Sequence, residues 1–228
     1  MSMSENARPR PIIGPLNVYS ILALAGVVGP LVLIITDITA AYCEPGYNPI
    51  RDSVSSLAWT HMGWIQTIGF LTMGLLVEVF VAGLLFSIRG GRGFGLGIGL
   101  LVFFGFGLLL IGAFRMDPVG SQPTIEGTIH NVTSKAVFFI FPIASFLIAL
   151  SVKKDPHRKG LFMHTIVTSS LVLGLVIGGL WLPEKVSWFG LYERILVANT
   201  IIWVELMAVR LLRLSLRTGK ELNNPTTF

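Results

Sequence analysis

The chain has 228 residues, 53% hydrophobic and 13% charged, with a formal net charge of +5 and a single cysteine. An ordinary soluble domain carries about 25% charged residues, and a mean hydropathy of +0.74 excludes a water-soluble core. Cys43 alone rules out an internal disulfide or a cysteine zinc site; basic residues scattered through short loops, with no aromatic-studded stripe, argue against nucleic acid.

The first sixteen residues are polar and proline-rich, with no small-residue cleavage site after a short apolar core, so the first apolar run reads as an uncleaved span. Six such runs follow, at about 18–39, 62–88, 94–114, 132–152, 161–182 and 191–212. Each is apolar around its whole circumference, as a bilayer helix of ~20 residues must be. Glycine and proline punctuate the separators: Pro45 and Pro49, Gly90 and Gly91, Pro118 and Pro123, Pro156, and Pro183. The expected architecture is all-α: a polar segment over 1–16, a six-helix transmembrane domain over 17–213 and a basic tail over 214–228.

Orientation follows from lysine and arginine. Twelve of the seventeen fall in the termini and the two basic turns, and the other five are Arg51, Arg115, Lys135, Lys185 and Arg194. Both ends are therefore expected in the cytoplasm, and the segments 40–61, 115–131 and 183–190 outside. Tyr42, Tyr47, Trp59 and Trp64, with Trp181, Trp188 and Tyr192, would form the aromatic belt of that outer leaflet.

Asp37 closes the first span and leads to YNPIRDSVSSLAW at 47–59, which holds Arg51, Asp52, Ser53, Ser55 and Ser56. Asp52 and Ser53 suit a helix N-cap. His61 opens the second span, and Glu78 lies near its middle, where a carboxylate needs a partner; Asn199 or Thr200 of the last span would supply one, and a proton-relay role is the alternative. The glycines of the third span lack the strand and βαβ unit of a dinucleotide loop; Gly95 with Gly99, and Gly174 with Gly178 on the fifth span, read as small-residue helix contacts. Arg115 and Asp117 end the third span and His130 opens the fourth, with Lys135 beyond it. His157 and His164 fall at the opposite depth and cannot join His61 and His130. Glu193 and Arg194 open the sixth span, and Glu205 sits near Arg210 at its inner edge.

Three chemistries fit the outer group. His61, His130 and Asp117, with Asp37 or Glu193 nearby, are metal-ligand types, although no HxxxH or HExxH spacing supports them. A serine activated by a histidine, with Arg51, Arg115 or Arg194 holding phosphate, would act on a lipid headgroup. Plain charge pairing would join Arg115 to Asp117 or Asp37, Arg51 to Asp52, and Arg194 to Glu193, and so seat the loops.

The stretch YNPIRDSVSSLAW with His61-Met62-Gly63-Trp64, then Met116-Asp117-Pro118, Gly127-Thr128-Ile129-His130 and Glu193-Arg194, resembles domain-of-unknown-function family 998 over most of the chain. The resemblance implies a polytopic prokaryotic membrane protein with Arg51, Asp52, Ser53, Ser56, Asp117, His130, Glu193 and Arg194 on the outward side; it implies no activity. The layout is also similar to six-helix proteins of lipid remodelling, an analogy of fold alone. The expectation is a protein of the cytoplasmic membrane whose outward polar pocket binds, and in one version modifies, a lipid headgroup or small polar ligand. A non-catalytic accessory subunit that docks a membrane-protein partner is the alternative. A transporter is disfavoured, since only Glu78 is ionisable at mid-depth.

Overall fold

The computed structural model describes residues 17–88, 90–118, 120–152, 159–182 and 186–223, with backbone alone at 152, 159–160 and 217–223. Expectations for the segment 1–16, for Arg89, for His157 and its basic turn, and for Lys185 lie outside the described residues.

The described residues form six long helices and no strand: α1 (Val18–Cys43), α2 (Gly63–Ser87), α3 (Phe94–Ala113), α4 (Ile125–Val152), α5 (Lys159–Gly179) and α6 (Phe189–Asn223), with one 3₁₀ turn at Ser55–Trp59. All six are long and apolar enough to cross a membrane. Ile35, Phe86 and Phe103 are each more than 60% exposed, a lipid-facing surface that would aggregate in water. Polar caps fix two of the helix starts. Asn17 Oδ1 accepts the Ser20 amide at 2.9 Å, and Thr124 Oγ1 accepts the Gly127 amide at 3.0 Å. That second cap explains why α4 begins at Ile125 and not at 132: the polar turn ahead of the apolar run is already helical, which puts His130 inside the helix.

The helices pack in a sequential ring, each on its chain neighbours, and α6 closes back on α1; the seam between α5 and α6 is the sparsest. Six spans bring both helical ends to one face, where Ser20 Oγ meets Ser215 Oγ at 2.9 Å. The axis is filled by Phe104, Phe141 and Trp203, with ring centroids 5.2 and 5.4 Å apart. Near the same level Ser145 Oγ meets Ser169 Oγ at 2.7 Å, and Trp203 Nε1–H donates to Thr165 Oγ1 at 3.1 Å. These contacts fasten α4, α5 and α6 together.

The expected glycine contacts are corrected. A Cβ on Gly95, Gly99, Gly174 or Gly178 would meet no atom within 4 Å. The close approaches are on other faces: Gly97 against Ala144 and Ile148, Gly107 against Val137, Gly112 against Phe70 and Leu71, and Gly26 against Phe80 and Ala208. Glu78 is corrected as well. Its carboxylate lies where a Cβ on Gly105 of α3 would go, and Oε1 has no hydrogen-bond partner. Asn199 and Thr200 instead bond back to the carbonyls of Ile195 and Leu196 one turn earlier on α6. Glu205 Oε1 is also buried without a hydrogen-bond partner.

Candidate functional site

Residues 44–62 fold into a lid over the end of the ring opposite the termini. Tight turns begin it, with Gly46 at φ 81°, in the left-handed region glycine enters without strain. Ser53 Oγ then accepts the Ser56 amide at 3.0 Å, and the 3₁₀ turn follows with Val54, not Asp52 or Ser53, at its N-cap position.

The lid is stapled to the first turn of α6. That turn has amides with no partner inside the helix, and the lid backbone supplies acceptors: Gly190 N–H donates to Arg51 O at 3.2 Å and Leu191 N–H to Ile50 O at 2.9 Å. A Cβ on Gly190 would strike the Asp52 and Pro49 backbone, so the approach requires glycine. Arg194 reinforces the staple. Its Nη1 donates to Pro49 O at 2.8 Å, Asp52 O at 3.0 Å and Gly190 O at 3.3 Å; its Nη2 donates to Tyr47 Oη at 2.7 Å and Asp37 Oδ1 at 3.3 Å. The guanidinium also lies 5.6 Å from the Tyr47 ring centroid. Arg194 therefore pairs with Asp37 of α1 and not with Glu193. Burial pushes the Tyr47 phenol up to about 12, against the pull of Arg194. It remains a donor, with Ser53 O at 2.8 Å and Asp52 O at 3.1 Å as its acceptors.

Glu193 takes the adjacent position. Its Oε2 accepts the Val54 amide at 2.6 Å, and its Oε1 lies 3.4 Å from Ser55 Oγ. Ser55 Oγ is also 3.2 Å from His130 Nε2, and His130 Nδ1 is 2.8 Å from Phe114 O. A carbonyl only accepts, so the proton sits on Nδ1 and the Nε2 lone pair is aimed at the serine. Phe114 closes α3 and His130 belongs to α4, so one imidazole ties both helices to the lid. His130 is 4% exposed.

On the exposed face of the lid Trp59 Nε1–H donates to Met116 O, and Arg115 lies 5.9 Å from the Trp59 ring centroid, without the expected Asp117 or Asp37 partner. Asp117 instead accepts from Thr124 N–H at 2.9 Å and Thr124 Oγ1–H at 2.7 Å, which holds its carboxyl below the usual range. Arg51 and Asp52 do pair, with Nε to Oδ1 at 2.7 Å, and the bond lowers the Asp52 pKa and raises that of Arg51. His61 is exposed, and its backbone amide donates to Glu44 Oε2 at 3.2 Å.

Beneath the lid, on the side of the sparse α5–α6 seam, lies a cavity of about 840 Å³. Its polar lining is Arg51, Asp52, Ser53, Ser56, Asp117, His130 and Glu193, together with Ser55, Asn131 and Lys135; its apolar lining runs from Leu180 and Phe189 at the level of the lid to Phe138, Phe139, Val176 and Leu196 along α4, α5 and α6. A void of about 30 Å³, room for about one water, continues toward the axis between Ser55, Ser134, Glu193 and Thr200. Seven expected residues thus line one cavity, while Asp37 and Arg194 hold its roof in place. His61 and Arg115 stand apart. Among the described residues no three histidine, cysteine, aspartate or glutamate side chains converge as a metal would need, so the set His61, His130 and Asp117 is not assembled.

Sequence reading misplaced Tyr47, passed over Ser134 and named Ser55 without singling it out. Tyr47 was assigned to the aromatic belt but turns inward. Ser134 carries a buried hydroxyl without a partner; its place one turn after His130 was the available signal. Ser55 could not be told from its neighbours, because only the bond between Ser53 and the Ser56 amide decides which serine of the run faces the bundle.

Comparison with curated proteins and with solved structures found no match to this chain. A family described as protein of unknown function (DUF998) matches residues 27–210, from α1 through most of α6 and including the lid and every residue of the cavity, and the chain belongs to that family.

Proposed function

We propose that this integral membrane protein binds a membrane amphiphile, with the polar headgroup under the lid and the upper acyl chain against α4, α5 and α6. The observation that carries the reading is the cavity of about 840 Å³, which joins a polar group under the lid to an apolar wall on α4, α5 and α6. Ligand sites commonly fall between about 300 and 1,000 Å³, and the apolar lining continues from the lid down α4, α5 and α6, the direction in which a lipid's chain leaves its headgroup. Exposed Lys135 and Arg51 sit on the cavity wall with the Asp52 and Asp117 carboxylates, so the headgroup meets both signs of charge. A cleft of this volume favours a ligand over a docked protein, whose anchors would lie splayed on a rim. The lid end faces away from the cytoplasm in this reading, in the cytoplasmic membrane of a prokaryote, as the basic residues at the other end favour.

Val176 lines the apolar wall and is 7% exposed. Replacing it with tryptophan puts an overlap of about 1–3 kcal/mol in the way of the acyl chain, a loss of about 5- to 150-fold in lipid affinity. Native mass spectrometry of the protein released from detergent should find lipid on the parent chain and little on Val176→Trp. Equal retention by both would overturn the assignment of the cavity.

A further inference from the structure

We infer that Ser55 is a nucleophile for acyl transfer from a carboxylic ester, with His130 as its general base; this rests on the amphiphile reading above. The serines of the lid differ in what they touch. Ser53 Oγ accepts the Ser56 amide at 3.0 Å and donates to Met116 Sδ at 3.8 Å, and Ser56 Oγ–H donates to Ser53 O at 2.7 Å, so neither faces a base. Ser55 Oγ–H has two acceptors across the bundle, His130 Nε2 at 3.2 Å and Glu193 Oε1 at 3.4 Å, the imidazole being the nearer, and Ser55 borders both cavities.

The surroundings are those a serine nucleophile needs. The base is within hydrogen-bond reach, and a third group, the Phe114 carbonyl, fixes its tautomer at 2.8 Å. Glu193 is a positioning residue. Its 2.6 Å bond to the Val54 amide holds the backbone next to Ser55. One turn beyond His130, the Ser134 hydroxyl is buried with no partner and borders the same voids. It is the donor available to a developing oxyanion.

The chemistry balances with water as the second substrate. Ser55 Oγ bonds to the ester carbonyl carbon while its proton passes to His130 Nε2. The alcohol leaves, taking that proton, and an acyl-serine remains. Water then attacks the same carbon, gives its proton to Nε2, and the carboxylic acid departs as Ser55 recovers the proton. The apolar wall fits the acyl chain of such an ester, and the lid end fits its headgroup.

The test is a long-chain alkyl fluorophosphonate, which a reactive serine captures by displacing fluoride. The full-length protein in detergent is labelled, digested and mapped by mass. The expected result is an adduct on the peptide carrying Ser55, with a loss of about a hundredfold in labelling rate in His130→Gln. No adduct, or one on a different serine, overturns the proposal, and the mapping on the parent chain needs no variant to fold. Lipid retention measured on the same sample separates the two readings. Retained lipid without an adduct sinks the nucleophile alone, and no lipid with no adduct sinks both.

Discussion

Arg194 has a fork of N–H donors, and the fold places acceptors from three parts of the chain around it: three backbone carbonyls, the Tyr47 oxygen and the Asp37 carboxylate. A lysine ammonium keeps the charge but cannot span carbonyls and carboxylate from one nitrogen. Arg194→Lys should therefore lower stability by about 2 kcal/mol, the scale of a hydrogen bond to a charged donor. Tyr47→Phe, which removes only a hydroxyl, should cost about 1 kcal/mol. Thermal unfolding in matched detergent reads both, and equal midpoints for Arg194→Lys and the parent would refute the staple. Sequence reasoning paired Arg194 with Glu193 because they are adjacent. On a helix adjacent side chains diverge by about 100°, which is why one grips the lid backbone and Asp37 while the other reaches Val54 and Ser55.

The same angular problem governs whole elements. Glycine alternates through Gly93, Gly95, Gly97 and Gly99 at the start of α3, so small residues mark two faces of a helix whose remaining residues are uniformly apolar. Only the packing shows which face matters: a Cβ on Gly97 comes within 3.0 Å of Ala144 O, while one on Gly95 meets open space. Gly97→Leu should lower the unfolding midpoint, at an overpacking cost of about 1–3 kcal/mol, and Gly95→Leu should leave it unchanged. The reverse order would contradict the helix face assigned here. At the start of α4 the element depends on Asp117, which holds Thr124 through its amide and hydroxyl and has its pKa lowered by those bonds. A carboxylate with a depressed folded-state pKa stabilises at pH above its unfolded value, about 3.9, and the benefit disappears as pH falls through the folded value. Melting Asp117→Asn beside the parent from pH 7 downward should show a parent advantage at neutral pH that closes in acid. An advantage that grows in acid would reverse the sign and remove Asp117 from the cap.

At the scale of the whole molecule, the sequence carries depth and the ring carries direction. A bilayer sorts residues along its normal, so hydropathy and breakers alone group the lid, Asp117, His130 and Glu193 at one level. They do not specify that Glu78 turns to α3, that His61 points out of the bundle, or that Ser55 is the serine facing His130, because each is a rotation about a helix or turn axis set by its neighbours. Which side of the membrane the lid occupies is a separate property, carried by charge asymmetry, and the chain contains its own reporter. Cys43 is its one cysteine, and it is exposed at the last residue of α1, next to the lid. A membrane-impermeant maleimide added to intact cells should modify the parent protein at Cys43 and leave Cys43→Ser unlabelled. Protection in intact cells with labelling only after lysis would put the lid, and the headgroup end of the cavity, on the cytoplasmic side. A lipid reaching Ser55 would then have to come from the inner leaflet instead of the outer one.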